Sequence, residues 1–402
     1  MPNIIPEVET FARIKVLGVG GSGKNALNHM VNSKVKGVEF IGVNTDAQDL
    51  HHTLAKKKIH IGKNLTKGLG TGMNPELGRR AVEETKEELQ EALKSADMVF
   101  VAGGLGGGTC SGAAPAVAKT AKELGALTVA VVTKPFFFEG AQRLRIAEQA
   151  LDALKKEVDA IIVIPNDRLL SNIDRNTTAK AAFAMCDEVL KQAVEGISDL
   201  ITTPGTINID FADIRAIMEN AGSALMGIGT GSGEKRAEDA AKMAINSPLL
   251  DISIAGAKGV LFSIAGGDDL TMFEIQDAAK VITESIDPNA KVIFGTVRDE
   301  KLKKGEVKVT VIASGFGEST SAHVQKKSLF SSESKDDSAK VAPTSVGKIF
   351  NTVAEKNDKH EKKDKEEKPE PKSSAVEDKK NIPIIDAEDD WGAVPAFLRR
   401  KK

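Results

Sequence analysis

Cysteine is almost missing from this chain: Cys110 and Cys186 are the only two in 402 residues, far apart and without metal-type spacing. A disulfide framework is thereby excluded, and no zinc site is indicated. An excess of one charge is missing too. The formal net charge is −2, so nothing draws the chain generally to nucleic acid or to an anionic membrane, and no nucleic-acid partner is expected. No apolar run approaches the ~18 residues of a membrane span. The start, Met1-Pro-Asn-Ile-Ile-Pro-Glu-Val8, lacks the basic and apolar stretches of a secretion signal. A cytoplasmic location is the expectation. The chain has no tyrosine and a single tryptophan, Trp391, yet its 41% hydrophobic content can bury a full core over most of its length. Its size predicts two folded domains and a tail.

Glycine is abundant, and in telling places. The apolar run Met98-Val-Phe-Val101 leads into Ala102-Gly-Gly-Leu-Gly-Gly-Gly-Thr-Cys-Ser-Gly-Ala-Ala-Pro115, and a small-residue helical pattern then continues to Leu124. This reads as strand, glycine turn, helix. Backbone N–H groups left bare by glycine beside the positive end of a helix can wrap a phosphate. Thr109 and Ser111 add hydroxyls, which could equally cap the helix. A second such unit precedes it: Ile14-Lys-Val-Leu17 runs through Gly18-Val-Gly-Gly-Ser-Gly-Lys-Asn25 into a helix. In a parallel α/β sheet, ligands bind at the carboxyl ends of the strands. Two glycine turns on one edge point to a di- or triphosphate more strongly than either alone.

Taken in order, the chain alternates strand and helix. Val38-Glu-Phe-Ile-Gly-Val43 ends in Asn44-Thr-Asp46, a βαβ start for a Rossmann-type sheet. A third glycine loop, Gly68-Leu-Gly-Thr-Gly-Met-Asn-Pro-Glu76, opens a charged helix with Pro75 near its first turn. Thr128-Val-Ala-Val-Val-Thr133 and Ala160-Ile-Ile-Val-Ile164 are buried strands. Glu139 and Arg143 lie four apart on the ligand edge. From about Thr178 to Leu200 an amphipathic pattern predicts one helix of about 30 Å at ~1.5 Å per residue. Strand patterns at Ala224–Ile228, Gly259–Ile264, Lys291–Thr296 and Val307–Ile312, with helices near Ala237–Ile245 and Met272–Thr283, predict a second, smaller α/β domain with a mixed sheet. The expected boundaries are 1–177, a central helix 178–202, and 203–316. Residues 321–380 hold 14 Lys against 12 Asp plus Glu, a self-neutralising run too polar to fold, so 317–381 reads as a disordered linker and 382–402 as a terminal peptide.

Gly18-Val-Gly-Gly-Ser-Gly23 satisfies G-x-G-x-x-G, and Asp46 sits where a dinucleotide fold places its ribose-binding acid. The same stretch nearly satisfies a P-loop, except that Asn25 stands in place of the magnesium-binding hydroxyl. Neither scheme accounts for the second loop or for Asn208-Ile-Asp-Phe-Ala-Asp213. The full set resembles the tubulin superfamily, and specifically its prokaryotic cell-division branch. The signature G-G-G-T-G-[ST]-G stands here as Gly106-Gly-Gly-Thr-Cys-Ser-Gly112. Gly20-Gly21 with Asn25, Asn44-Thr-Asp46, Gly70-Thr-Gly72 with Asn74-Pro-Glu76, Pro135-Phe136 with Phe138-Glu-Gly140 and Arg143, Asn166-Asp-Arg168 and Asn208–Asp213 also match, over about residues 12–316 and the last dozen.

The resemblance implies a GTPase that polymerises head to tail, each subunit completing its neighbour's active site. GTP or GDP would be held by Gly20, Gly21 and the loop Gly106, Gly107, Gly108, Thr109, Cys110, Ser111 and Gly112, with Asn44, Asp46 and Gly72 nearby and Mg²⁺ neutralising the phosphates. No dedicated metal-ligand cluster is visible. Glu139 would accept from ribose hydroxyls and Arg143 would meet phosphate or ribose, while Asn25 and Asn166 complete the base and ribose contacts. Phe183 and Asp187 share a helix face, so the ring can stack the base while the carboxylate accepts guanine N1–H and N2–H, donors that adenine does not present there. Phe183 could equally be a core residue. Asp210 and Asp213 would orient the attacking water with Asn208 in support, although Asp210 could also be a helix N-cap with Asp213 as its reciprocal partner.

Cys110 replaces the signature's glycine, which predicts a strain of about 1 kcal/mol if the position needs positive φ. A thiol against the phosphates at a helix N-terminus would also be acidic and reactive. Ala393-Val394 replaces the common Asp-Ile of the terminal peptide. The partners implied are copies of the chain, a membrane-tethering division adaptor bound through 382–402, and division regulators at midcell beneath the inner membrane. A tubulin-like scaffold for plasmid partition or membrane organisation, with little turnover, is the alternative.

Overall fold

The computed structural model describes residues 12–170, 176–203, 205–247, 254–299 and 302–316. The expected linker 317–381 and terminal peptide 382–402 lie outside the described residues. The first half runs β1 (Ile14–Val19), α1 (Gly20–Asn32), β2 (Val38–Asn44), α2 (Ala47–His51), β3 (Lys57–His60), α3 (Lys63–Thr66), α4 (Pro75–Glu84), α5 (Lys86–Leu93), β4 (Met98–Gly104), α6 (Gly108–Glu123) and β5 (Leu127–Lys134). A 3-10 turn (Phe137–Glu139), α7 (Ala141–Leu154), β6 (Ala160–Pro165) and α8 (Asn166–Leu170) follow. Then come α9 (Ala179–Thr202), α10 (Phe211–Met218), β7 (Gly222–Ser232), α11 (Arg236–Ile245), β8 (Gly259–Gly266), α12 (Met272–Thr283), β9 (Lys291–Arg298) and β10 (Glu306–Ser314).

The ten strands among the described residues form one sheet in the order β3-β2-β1-β4-β5-β6-β7-β10-β8-β9. From β3 to β6 every pairing is parallel. Side chains alternate across it. On β4, Met98 and Phe100 join the core beneath α1, α9 and α10, whereas Val99 and Val101 join the core beneath α4 to α7. A strand covered on both faces must be apolar at successive positions, which is why these strands read as unbroken hydrophobic runs. β6 meets β7 through only three residue pairs, Ala160–Gly222 to Ile162–Ala224. Beyond that seam the sheet is mixed: β10 is antiparallel to β7 and β8, and β8 is parallel to β9, with α11 and α12 over a third core.

The helix α9 is the spine. Thr178 caps it by accepting from the Ala181 N–H, and Cys186, Val189, Leu190, Ala193, Val194, Ile197 and Leu200 form its buried stripe. That stripe shares one core with Val129 of β5 and with Leu261 and Ile312 of the C-terminal strands. Twenty-four residues at ~1.5 Å each carry its far end about 36 Å from its start. The charged pattern after Pro75 proves to be two helices: the chain leaves helical geometry at Thr85, whose hydroxyl bonds back to the Ala81 carbonyl.

Candidate functional site

The strand order reverses between β1 and β4, which both pair with parallel neighbours and send their chains to opposite faces of the sheet. Such a switch point leaves a crevice at the carboxyl ends of the strands. Both glycine turns open onto it. α1 begins directly at Gly20 (φ +73°) and α6 at Gly108, and neither helix has a side-chain cap or an acidic residue in its first turn. By contrast, Asn74, Thr178, Asp210 and Thr271 cap α4, α9, α10 and α12. The first N–H groups of α1 and α6 thus keep their hydrogen-bonding capacity for an anion.

The glycines of the central loop divide by what surrounds them. A Cβ on Gly107 would enter open space, as it would on Gly70 and Gly72 of the third loop. A Cβ on Gly108 would lie 2.3 Å from Thr71 Oγ1, and one on Gly112 would lie 1.8 Å from the Pro75 carbonyl oxygen. Gly107 therefore lines a cradle, whereas Gly108 lets the third loop, and Gly112 lets α4, pack against α6. The loop is tied from within: Ser111 Oγ accepts from the Gly106 N–H at 2.9 Å, and Ser22 Oγ accepts from the Gly104 N–H at 2.7 Å, joining the two turns. Thr109 Oγ1 lies 2.7 Å from Thr45 Oγ1 and 3.3 Å from Thr71 Oγ1, a hydroxyl chain linking the end of β2, the third loop and the signature.

Beside the cradle, Glu139 accepts from the Phe136 N–H at 3.0 Å and pairs with Arg143 at 3.0 Å. Asn44 is buried, with its carboxamide held by Asp49 and by the Asp46 N–H. Asp46 caps α2 by accepting from the Asp49 N–H at 2.9 Å. Asn166 follows β6 at 6% exposure, and its Oδ1 has no hydrogen-bond partner among the described residues. A buried acceptor without a partner is costly unless something else supplies the donor. Asn25 is exposed on α1. Phe183 is no core residue: it is 48% exposed, standing edge-on to Phe136 at 5.4 Å. Asp187, one turn on, has its pKa pushed up to about 6 by burial, against the opposing pull of His29 and Lys24 on α1.

The carboxylates of the second half lie elsewhere. Asp210 is the N-cap of α10, accepting from the Asp213 N–H at 2.8 Å, while the Asp213 carboxylate makes no hydrogen bond among the described residues. Asp210 therefore caps without a reciprocal bond. Asn208 Oδ1 accepts from the Gly205 N–H at 2.7 Å.

Residues 13–174 match the model of the Tubulin/FtsZ family GTPase domain, and residues 222–317 match that of the FtsZ family C-terminal domain. Among solved structures, an empty FtsZ dimer from M. jannaschii shares 46% identity at a TM-score of 0.73, over 76% of this chain and 89% of that one. The chain belongs to the Tubulin/FtsZ family. The fold is shared more widely: CetZ2 from Haloferax volcanii, in a GTPγS-bound protofilament, matches at 22% identity and a TM-score of 0.66, covering 77% of this chain and 94% of that one. CetZ1 from the same organism, a GDP-bound monomer, matches at 23% and 0.67, covering 76% and 95%.

As a Tubulin/FtsZ GTPase domain, the first half departs from its sequence-based description at Cys110. The backbone there is helical and not of positive φ, so no strain is stored. Its thiol is buried at 4% exposure and pushed up to about 12 by that burial, the reverse of an activated thiol. Desolvation outweighs the helix terminus because the sulfur packs inward against Gly103, where a Cβ would lie 2.6 Å from Sγ. Pattern reading also passed over Ser22, Thr45, Thr71, Lys24 and Asp49. A hydroxyl or an ion pair on a loop carries no periodicity, so only the fold shows what it touches.

Proposed function

We propose that this member of the Tubulin/FtsZ family binds GTP in the β1/β4 crevice, assembles head to tail into filaments, and hydrolyses GTP where Asn208, Asp210 and Asp213 of one subunit meet the nucleotide of the next. The observation that carries this reading is the separation of the two halves of the site by α9, 24 residues long. At ~1.5 Å per residue the helix sets its ends about 36 Å apart, so a neighbouring subunit is the natural source of the carboxylates. Head-to-tail contacts of this kind generate open filaments. The dimer and protofilament forms of its relatives accord with that assembly.

In this mechanism Gly20, Gly21, Gly107 and Gly108 offer N–H groups to the phosphates, while Gly106, its N–H held by Ser111, shapes the helix start with Thr109, Cys110, Ser111 and Gly112. Phe183 stacks the base, ionised Asp187 accepts from guanine N1–H and N2–H, and Asn166 and Asn25 complete the base and ribose contacts. Glu139 takes ribose hydroxyls and Arg143 turns to the phosphates. Asp213, with its carboxylate uncommitted, orients the water; Asp210 assists with the oxygen its cap leaves free. Mg²⁺ would supply charge neutralisation at the phosphates. Among the described residues no three His, Cys, Asp or Glu side chains gather to hold a metal alone, so most of its ligands would be phosphate and water oxygens.

The filament would build the cytoplasmic division ring at midcell, beneath the inner membrane. Residues 317–381 would act as spacer and 382–402 as the peptide read by a membrane-tethering adaptor, with division regulators acting on the filament. Sedimentation of the full chain with GTP, GDP or ATP, alongside phosphate release over a dilution series, tests the reading. GTP-selective pelleting and a specific activity that vanishes below an assembly threshold are expected. Full-rate hydrolysis by monomers would refute the split site, and filaments without turnover would favour a scaffold for partition or membrane organisation.

A further inference from the structure

The near-P-loop spacing of Gly18–Lys24 leaves its lysine unexplained. In a P-loop that lysine reaches the phosphates. Here Lys24 Nζ lies 2.7 Å from Asp49 Oδ1, and both side chains are largely covered, at 16% and 28% exposure. Asp49 stands against the first phosphate turn: its Oδ2 is 3.4 Å from the point a Cβ on Gly21 would occupy. The same Oδ2 accepts from Asn44 Nδ2 at 2.8 Å. Asn44 is 3% exposed at the end of β2, and its Oδ1 accepts from the Asp46 N–H at 3.3 Å.

A carboxylate next to a phosphate turn repels the ligand the turn is built to hold. We propose that Asp49 and Lys24 form a charge-cancelled positioning pair for the phosphates: Asp49 fixes the Asn44 carboxamide beside the turn, and Lys24 removes the repulsion that Asp49 would otherwise exert. This rests on the nucleotide reading of the site. Lys24 acts through Asp49, so its influence depends on Asp49 being charged. A lysine that bound phosphate directly would matter whatever stood at position 49.

The test is displacement of a fluorescent GDP from the full chain by GMP, GDP and GTP, below the assembly threshold. Lys24→Gln leaves the carboxylate uncompensated and weakens binding in proportion to ligand charge, by about fivefold to tenfold for each added phosphate, the size of one unit-charge interaction across ~8 Å at an effective dielectric constant of ~30–40. Asp49→Asn alone keeps an acceptor for Asn44 and tightens GTP more than GMP. The double variant returns the charge gradient to that of the wild type, and Lys24→Arg preserves it. A double variant as weak as Lys24→Gln, or a loss equal for all three ligands, overturns the pair. Should Lys24→Gln fail to fold, Asp49→Asn decides alone: equal effects on GMP and GTP, or weaker GTP binding, overturn it. Wild-type protein that binds neither GDP nor GTP overturns instead the nucleotide reading beneath it.

Discussion

At the scale of single residues, identical letters do different work. Gly107→Ala places a methyl in the open cradle at an ordinary φ of −89°, so the fold should keep its melting temperature within about 2 °C, as for a surface change within ±0.5 kcal/mol, while GTP binding falls steeply. Gly112→Ala meets the Pro75 carbonyl oxygen at 1.8 Å and should cost about 1–3 kcal/mol of stability as overpacking does. Calorimetry and nucleotide titration on the two variants separate the roles. Asp187 carries the second prediction. Its folded pKa is raised to about 6 by burial, while His29 and Lys24 on α1 oppose the shift. Glu188 beside it is occupied by His29 and Lys191. Only ionised Asp187 can accept both guanine donors, so this contribution is nearly full one unit above about pH 6, halved near it, and declines towards tenfold per unit below it. Binding profiles between pH 5 and 8 should show that decline in the wild type and not in Asp187→Asn, which starts weaker. The glycine signature and the Phe183–Asp187 pair were legible because residue type and spacing carry them. Which glycine borders open space was not, since that depends on Pro75 arriving from another element.

At the scale of elements, the sequence pattern located helices and strands closely: α12 was expected at Met272–Thr283 and runs over those residues. Its fastening was invisible. Arg236 sits in the first turn of α11, where the helix dipole disfavours a cation, yet it is buried and makes charged hydrogen bonds to Glu274 at 2.6 Å and Asp269 at 2.7 Å. Glu274 also completes the capping box of α12 with Thr271. The Arg236 hydrogen bond holds the Glu274 pKa at about 2, against an ordinary 4.5. A depressed carboxylate pKa means stabilisation that is full above about pH 4.5 and lost as pH falls toward about 2. Arg236→Ala should cost about 1–3 kcal/mol at neutral pH, because it leaves the largely covered Glu274 carboxylate without its charged hydrogen bond. It should also flatten the acid limb of the melting-temperature profile, which a pH series of thermal scans would reveal. The short helix α2 escaped notice for a related reason. Asp46 looked like a ribose acid from its place after β2, whereas one of its oxygens is spent on capping.

At the scale of the whole molecule, the long amphipathic pattern predicted the spine, and the structure adds that α9 packs under strands from both halves of one continuous sheet. A site divided along that spine allows complementation. Asp213→Ala should assemble and hydrolyse poorly, and Gly107→Ala should fail to load nucleotide. Mixed, they should recover a measurable part of wild-type phosphate release wherever an intact cradle meets intact carboxylates, and no recovery at any ratio that co-sediments would count against the division. The ends of the sheet carry a different consequence. One edge, β3, is four residues long and begins with Lys57 and Lys58. The other, β9, is met by the chain approaching α10: the Thr296 N–H donates to the Ile207 carbonyl at 3.0 Å, and the Ile207 N–H donates to Thr296 Oγ1 at 2.9 Å. Copies crowded into a filament would otherwise present bare strands to one another sideways, where pairing is indiscriminate. The segment that carries Asn208, Asp210 and Asp213 thus also covers this edge of the sheet against lateral pairing. A change that frees Ile207 from Thr296 would turn ordered growth in one direction into tangling in two.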